Sequence, residues 1–319
     1  MKNLRRTRKS TRIQCLHELR TWAAENKLPE KYEDVQPFTT YAIPMDDTEY
    51  PDVLGVALTM KCQIDWIGQL VQKPLRFVIH GDGKWKLHHG NWILITFGTH
   101  SNEFDKKKGK IVHSFRPLVY LFTRNQESKS CVRYALNALN KVALKFFGST
   151  LHPGATCSDH GSGIMSGFKN VFPDADLMGC WPHIAWGLGY GKVLKPSNHP
   201  DLEMVKAQFN ILHLCPSRGA WDVFLQAVGA IWGDQNAGLN KLWSERMRGR
   251  KANWYIGFSD CPQSVPSQQG QECWHRFNLM VLLVGQLRVS TAQVLSETLP
   301  RAMRSDGEST CSHSADSRG

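Results

Sequence analysis

The sequence predicts an α/β protein built on a mixed sheet, in which three antiparallel strands are followed by parallel strands and crossover helices. Short apolar runs separated by turns predict the antiparallel strands, at residues 75–80, 92–97 and 117–123. The apolar spacing then becomes helical. Helices are predicted at 130–147 and 164–171, and strands at 155–157 and 175–180. The order β-β-β-α-β-α-β is the RNase H-like arrangement.

Composition divides the chain into four regions: a basic disordered N-terminus, a helical and loop extension, the sheet core with a helical insertion, and a C-terminal helix end with a disordered tail. In that order they cover residues 1–12, 13–73, 74–290 (with the insertion at about 184–258) and 291–319. In the extension, residues 28–50 are predicted to be a loop. In the core, residues 271–287 are predicted to form a helix packed on the sheet.

Charge points to a polyanionic partner. The 319 residues carry a formal net charge of +11, with a pI near 9.2. An excess of Lys and Arg neutralises phosphates and releases counterions, which favours nucleic acid; a basic protein without such a partner is the alternative. The basic segment 1–12 fits a nuclear-import signal, a DNA-contacting arm or a solvated terminus.

The cysteines and the apolar runs indicate the compartment. Nine scattered cysteines form no compact disulfide framework, so reduced thiols in the cytosol or nucleus are expected. The longest apolar runs, 93–97 and 280–285, are far shorter than the roughly 20 residues of a membrane span. No membrane partner is therefore expected.

Three acids occupy matching positions in this topology. Asp82 is expected just beyond the first core strand, Asp159 at the end of the fourth, and Glu272 near the start of the last long helix. The first and fourth strands are expected to be neighbours, so both aspartates would lie at one edge of the sheet. Carboxylates held close together favour a cation between them, and hard oxygen ligands suit Mg²⁺ or Mn²⁺. Two such ions can drive in-line displacement at phosphorus.

Each acid also has a simpler interpretation. Asp82 precedes a glycine, as turn residues often do. Asp159 fits the N-cap of the following helix, and Glu272 fits a first-turn acid favoured by the helix dipole. The three gain weight as a set because each is predicted on the appropriate element.

Four blocks of the sequence, in order, resemble the transposases of Mutator-like elements (MULEs), and the resemblance covers residues 74–290. The blocks are Asp82-Gly83-Lys84-Trp85, Ser158-Asp159-His160-Gly161, Cys180-Trp181-Pro182-His183 and Gln269-Gly270-Gln271-Glu272. The resemblance implies a cut-and-paste DNA transposase with an RNase H-like core. It makes Asp82, Asp159 and Glu272 the acids that hold two Mg²⁺ or Mn²⁺ ions. The implied partners are transposon ends and target DNA, in the nucleus, with a homo-oligomer as a further expectation.

The chain also departs from the family pattern. Lys84 stands where the family often has Thr, and Gln268-Gln269 where it often has paired Asn. The zinc modules that family members carry are not recognisable, which fits a truncated or decayed copy. The resemblance implies that Cys180 and His183 lie beside the active site. Two ligands are too few for a closed tetrahedral site, so structural zinc is not expected.

A basic cluster and one further lysine are the candidates for DNA contact, with a solvated helix end as the alternative for the cluster. They are Arg246, Arg248, Arg250 and Lys251, together with Lys84. Two functions besides transposase stay open. Some domesticated relatives of these transposases are non-catalytic transcription regulators, and an inactive transposon relic would fit the missing modules.

Overall fold

A computed structural model describes most of the chain up to residue 261. It covers residues 16–46, 48–72, 76–84, 92–106, 109–124, 127–159, 161–185, 202–232 and 251–261, and single residues at 244, 247, 248, 267 and 271. The predicted disordered termini and nearly all of the predicted helix 271–287 lie outside these residues.

The described residues form a mixed α/β structure around one seven-stranded sheet with the order β1-β2-β5-β4-β3-β6-β7. The strands are β1 (Tyr41–Ile43), β2 (Gly55–Thr59), β3 (Val78–Lys84), β4 (Ile93–Asp105), β5 (Lys110–Thr123), β6 (Ala155–Ser158) and β7 (Asp176–Gly179). The helices are α1 (Leu16–Glu25), α2 (Lys61–Gln72), α3 (Lys129–Phe147), α4 (Ser162–Val171), α5 (Leu202–His213) and α6 (Arg218–Trp232).

The predicted order β-β-β-α-β-α-β is confirmed for the elements from β3 to β7. Strands β3, β4 and β5 pair antiparallel, whereas β3 pairs with β6, and β6 with β7, in parallel. Helices α3 and α4 make the connections between them. Parallel neighbours require such crossovers because the chain must return to the same end of the sheet.

The prediction of a loop across residues 28–50 is wrong at β1. Tyr41, Ala42 and Ile43 are buried and pair with β2, which in turn pairs with β5. These two strands therefore extend the sheet at its β5 side. A strand of three residues is too short to show an alternation of apolar and polar positions, so the sequence gives no periodic signal there.

Strands β4 and β5 are longer than the sequence predicts. Beyond a register shift at Phe97/Gly98, they pair with each other as far as Asp105 and Lys110. At Gly98 an added Cβ would overlap the main-chain oxygen of Arg116, so glycine lets the strands approach closely there. The lysine-rich segment 106–110, predicted to be exposed, joins the two strands, and Lys106 and Lys110 are exposed as expected.

Helices α2, α3 and α4 pack on one face of the sheet, and α3 contributes most to that core. Its buried residues include Leu136, Leu139 and Val142, which face Ile79, Ile95 and other apolar side chains of the strands. Ser128 caps its N-terminus by accepting the N–H of Cys131 at 3.3 Å, and Gly148 ends it in the left-handed conformation. Helix α1 covers part of the opposite face, where Leu19 packs with Leu94 and Phe122.

Helices α5 and α6 belong to the predicted insertion and form a second core with residues 252–258. Phe209, Trp221, Trp254 and Tyr255 are buried there. The main chain at Asn253 continues the hydrogen bonding of β7, because the N–H of Gly179 donates to the oxygen of Asn253 at 3.0 Å. None of the helices that the structure describes is long and apolar enough to cross a lipid bilayer.

Candidate active site at the ends of β3 and β6

Asp82 and Asp159 occupy equivalent positions on neighbouring parallel strands. Val78 pairs with Ala155 and His80 with Cys157, so each partner lies 77 positions further along the chain. The same offset relates Asp82 to Asp159, which directly follows β6. Since adjacent strands are about 4.8 Å apart, the two main chains are close neighbours at this point. The offset therefore brings the two acids to the same end of adjacent strands, and their joint role in a metal site stays a prediction.

One detail of the predicted geometry needs correction. Asp82 does not lie beyond the first core strand but inside β3, which continues to Lys84. It pairs with Thr96 of β4. The apolar run in the sequence ends at Ile79, whereas the strand continues because the main chain of residues 80–84 bonds to β4 regardless of side-chain type. Beyond Ser158, none of the described strands pairs with β3 on its β6 side.

Asp159 is held in place by the start of α4. Its Oδ1 accepts the N–H of Gly161 at 2.9 Å, and Gly161 is the N-cap residue of α4. The alternative interpretation of Asp159 as the N-cap residue of α4 is therefore wrong. Its side chain instead accepts a hydrogen bond from the N-cap residue. Both Asp82 and Asp159 are half-buried, which leaves part of each side chain accessible.

A fourth acid, Glu127, approaches this edge and was not foreseen from the sequence. A Cβ added to Gly83, the residue after Asp82, would overlap Glu127 Oε1. A Cβ added to Gly161 would lie 2.9 Å from Asp159 Oδ1 and 4.0 Å from Glu127 Oε2, so those oxygens are no further apart than the sum of these distances. Glu127 immediately precedes Ser128, the N-cap of α3. Its position just before a helix was the only feature of the sequence that could have drawn attention to it.

Glu272 lies outside the described residues, whereas its neighbour Gln271 is described. Gln271 is fully buried, and its Nε2 donates to the main-chain oxygen of Thr96 at 2.8 Å. Thr96 is the residue paired with Asp82. Gln271 is therefore anchored next to the strand pair that carries Asp82.

Cys180 and His183 follow β7, one strand further along the same edge. Cys180 is buried, and its N–H donates to Ser158 at 2.7 Å. It shares a small cluster with Cys157 and Cys261, whereas Cys215 belongs to the core of α5 and α6. Burial, with smaller contributions from Cys180 and Asp159, raises the pKa of the Cys157 thiol well above its ordinary value. This thiol is consequently protonated at neutral pH.

The candidate DNA contacts are only partly described. Arg248 and Lys251 are exposed and flank residues of the second core, since Met247 and Ala252 are buried in it. Arg246 and Arg250 lie outside the described residues, as does the side chain of Lys84 at the end of β3. Exposure of two cations is compatible with phosphate contact and also with a solvated surface.

His80, two residues before Asp82, gives the fold a pH dependence. It is buried, and its Nε2 lies 3.0 Å from Nδ1 of His100. Burial, and secondarily the charge of His100, lowers the pKa of His80 well below its ordinary value. The folded protein therefore holds this ring neutral, whereas the unfolded chain protonates it below about pH 6.5. Stability is fully present above that pH and is lost as the pH falls through it.

We expect the free energy of unfolding to fall by up to about 1.4 kcal/mol per pH unit below pH 6.5 for this group. Urea titrations between pH 7.5 and 5 measure the slope. His80→Gln should reduce it, and His17→Gln, a change at an exposed histidine, should leave it unaltered. An unchanged slope in His80→Gln would refute the assignment.

The described site is compatible with a divalent cation, although it is not a closed metal-binding cluster. Within the ranges described, no three His, Cys, Asp or Glu side chains are already grouped to hold a metal ion. Asp82 and Asp159 nevertheless carry oxygens of the kind that such an ion prefers, and the Glu127 carboxylate fills the space left by the absent side chain at Gly83. This donor set suits a hard cation.

Compared with families of known proteins and with curated sequences, the chain matches no family model and no curated protein.

Proposed function

We propose that this chain is a metal-dependent DNA strand-cleaving and strand-transferring enzyme of the Mutator-like transposase type, with an RNase H-like core. The observation that carries the proposal is the equivalent placement of Asp82, inside β3, and Asp159, directly after the adjacent parallel strand β6. The mixed sheet, with its antiparallel strands before the parallel ones, supports the RNase H-like assignment. The four sequence blocks support the family.

The third acid of the proposed site is Glu272. Support for it comes from Gln271, whose side chain is bonded to the strand residue opposite Asp82. A helix that starts there would present its first-turn acid toward the two aspartates. The buried bond holds Gln271 itself beside Thr96, and such a bond is costly to leave unmade.

In this proposal Asp82, Asp159 and Glu272 hold the divalent cations, and the surrounding residues position them. Bound Mg²⁺ would activate a water or a 3′-hydroxyl and neutralise charge at the scissile phosphate. The bond from Gly161 to Asp159 fixes one carboxylate oxygen. The pairing of Asp82 with Thr96 of β4 holds its main chain in place, so its carboxylate would need little reorganisation to take up an ion.

Nicking of supercoiled DNA with Mn²⁺ tests the proposal. The natural protein is compared with Asp82→Asn, Asp159→Asn and Glu272→Gln, and with Asp174→Asn, a change at an exposed acid before β7. We expect nicking by the natural protein and by Asp174→Asn, and none by the other three. Equal nicking by every variant would show a contaminating or unrelated nuclease. Absence of nicking and of Mn²⁺ binding throughout, with DNA binding retained, would favour the non-catalytic regulator.

A further inference from the structure

Strands β4 and β5 continue past their neighbours as a two-stranded ribbon. Strand β3 pairs with β4 only up to Gly98, and β2 pairs with β5 only at residues 120–123. Residues 99–105 of β4 and 110–116 of β5 pair with each other, and no other strand that the structure describes pairs with them. Seven residues of a strand span about 24 Å. We call this ribbon the β4–β5 arm.

The end of the arm carries an exposed apolar pair. Phe104 and Ile111 lie directly opposite each other in the register, so their side chains share one face of the arm. Phe104 is 63% exposed and Ile111 is 61% exposed. Because burial of apolar surface is favourable, two large apolar side chains held side by side at the end of an arm suit contact with a partner.

The same end of the arm is basic. Lys106 and Lys110 flank the turn, and both are exposed. Residues 102–111 contain four lysines and two acids, and the acids stand at positions 103 and 105. Successive positions of a strand alternate between its two faces, so 103 and 105 belong to the face opposite Phe104. The strand positions that share the face of the apolar pair in this stretch are therefore not acidic.

The charge of the chain favours a polyanion over a second copy of this chain as the partner of the arm. Each copy has a net charge of +11, so two copies repel one another, and two arms that met end to end would bring their lysines together. DNA instead carries one negative charge for about every 1.7 Å of its axis. Its major groove is about 12 Å wide and admits a two-stranded β-ribbon. Charge and shape therefore point to the same partner.

We propose that the β4–β5 arm binds in the major groove of double-stranded DNA. Lys106 and Lys110 contact phosphates beside the groove, and Phe104 and Ile111 pack against base edges, where the thymine methyl group is an apolar partner. The inference rests on the proposed function for the choice of DNA as the polyanion, but it concerns binding and not cleavage.

The arm lies away from the candidate active site. Asp82 pairs with Thr96, and Phe104 follows Thr96 by eight residues, which is roughly 27 Å along β4. That distance corresponds to about eight base pairs of B-DNA, at about 3.4 Å each. Loss of the arm contacts should therefore lower the affinity for DNA without changing the rate at which bound DNA is cleaved.

The fluorescence anisotropy of a short labelled DNA duplex of mixed sequence measures the affinity of the full chain over a range of salt concentrations. Each phosphate contact contributes about 0.9 to the slope of log affinity against log salt, so Lys106→Gln combined with Lys110→Gln should reduce that slope by about 2. At about 0.1 M salt the affinity should fall by 10–100-fold. Lys27→Gln combined with Lys31→Gln, the same change of charge at two other exposed lysines, should alter both quantities far less.

Phe104→Ala combined with Ile111→Ala tests the apolar contact. We expect about tenfold weaker binding with an unchanged salt slope, because apolar burial is lost while the lysines remain. Val223→Ala combined with Ile231→Ala is the matched control on α6, where the two side chains are 68% and 50% exposed, and it should bind DNA like the natural protein. Unfolding temperatures check that all four variants fold.

The outcomes separate the arm from the proposed function. Natural affinity and salt slope in both arm variants would overturn the role of the arm, whereas nicking by the natural protein would still support the proposed enzyme. Loss of an oligomer in the apolar variant on sedimentation, with unaltered DNA affinity, would assign the pair to a second copy of this chain. Weaker binding by the arm variants, with no nicking by any protein, would support the arm and contradict the enzyme. Failure of the natural protein to bind DNA would overturn both.

Discussion

Under the proposed function, replacement of Asp159 by asparagine should reduce metal-dependent strand cleavage by roughly 10³-fold, because a neutral amide cannot hold a divalent cation as a carboxylate does. The fold should be retained. An asparagine oxygen can still accept the N–H of Gly161, which Asp159 Oδ1 accepts at 2.9 Å in the natural chain. The change also removes a negative charge beside Asp82 and Glu127. We therefore expect the metal-free variant to be at least as stable as the natural protein.

The change in unfolding temperature on addition of Mg²⁺ distinguishes loss of ion binding from a folding defect. A ligand that binds only the folded state stabilises it by about 2.7 kcal/mol when its concentration is 100 times its Kd. The natural protein should show a higher unfolding temperature with Mg²⁺, and Asp159→Asn should show little or none of this shift. Asp174→Asn serves as the exposed control and should respond like the natural protein. Equal stabilisation of Asp159→Asn by Mg²⁺ would place the ion elsewhere.

Replacement of Trp254 by alanine is expected to lower the free energy of unfolding by about 3–5 kcal/mol, the range for removal of a large buried aromatic side chain. Trp254 is fully buried. Its ring stacks on Trp181 at 5.1 Å and on Phe209 at 5.5 Å, and it meets Trp221 edge to face at 5.0 Å. The cavity would lie between α5, α6 and the segment that bonds to β7.

Urea titration followed by intrinsic fluorescence and by far-UV circular dichroism measures this loss. Val223→Ala on α6 is the matched control, because Val223 is 68% exposed and its truncation should change stability by less than about 0.5 kcal/mol. Asn253 and Gly179 link the second core to the sheet, so we expect both signals to change in one transition. A loss below about 1 kcal/mol would mean that the aromatic stack does not stabilise the fold.

The site illustrates what a linear pattern can and cannot identify. Asp82 and Asp159 were predictable because each adjoins a short apolar run, and because parallel neighbours in this order of elements bring their carboxyl ends together. Glu127 was not, since nothing in Gln126-Glu127-Ser128 distinguishes it from an ordinary acid before a helix. Its proximity to Gly83 and Gly161 depends on how α3 and α4 pack. The predicted role of Glu272 stays a prediction, supported by the bond of Gln271 to Thr96.

The sequence by itself determined the order of helices and strands from β3 to β7, because the change from short apolar runs to helical spacing is a local property of the chain. It also determined the helix α3, apart from its first residue. Only the tertiary structure decided that Tyr41–Ile43 joins the sheet, that β3 continues past Asp82, and that β4 and β5 extend beyond their neighbours. Those features arise from main-chain pairing between distant segments. Hydrogen bonds of the main chain do not depend on side-chain type, so no residue pattern reports them.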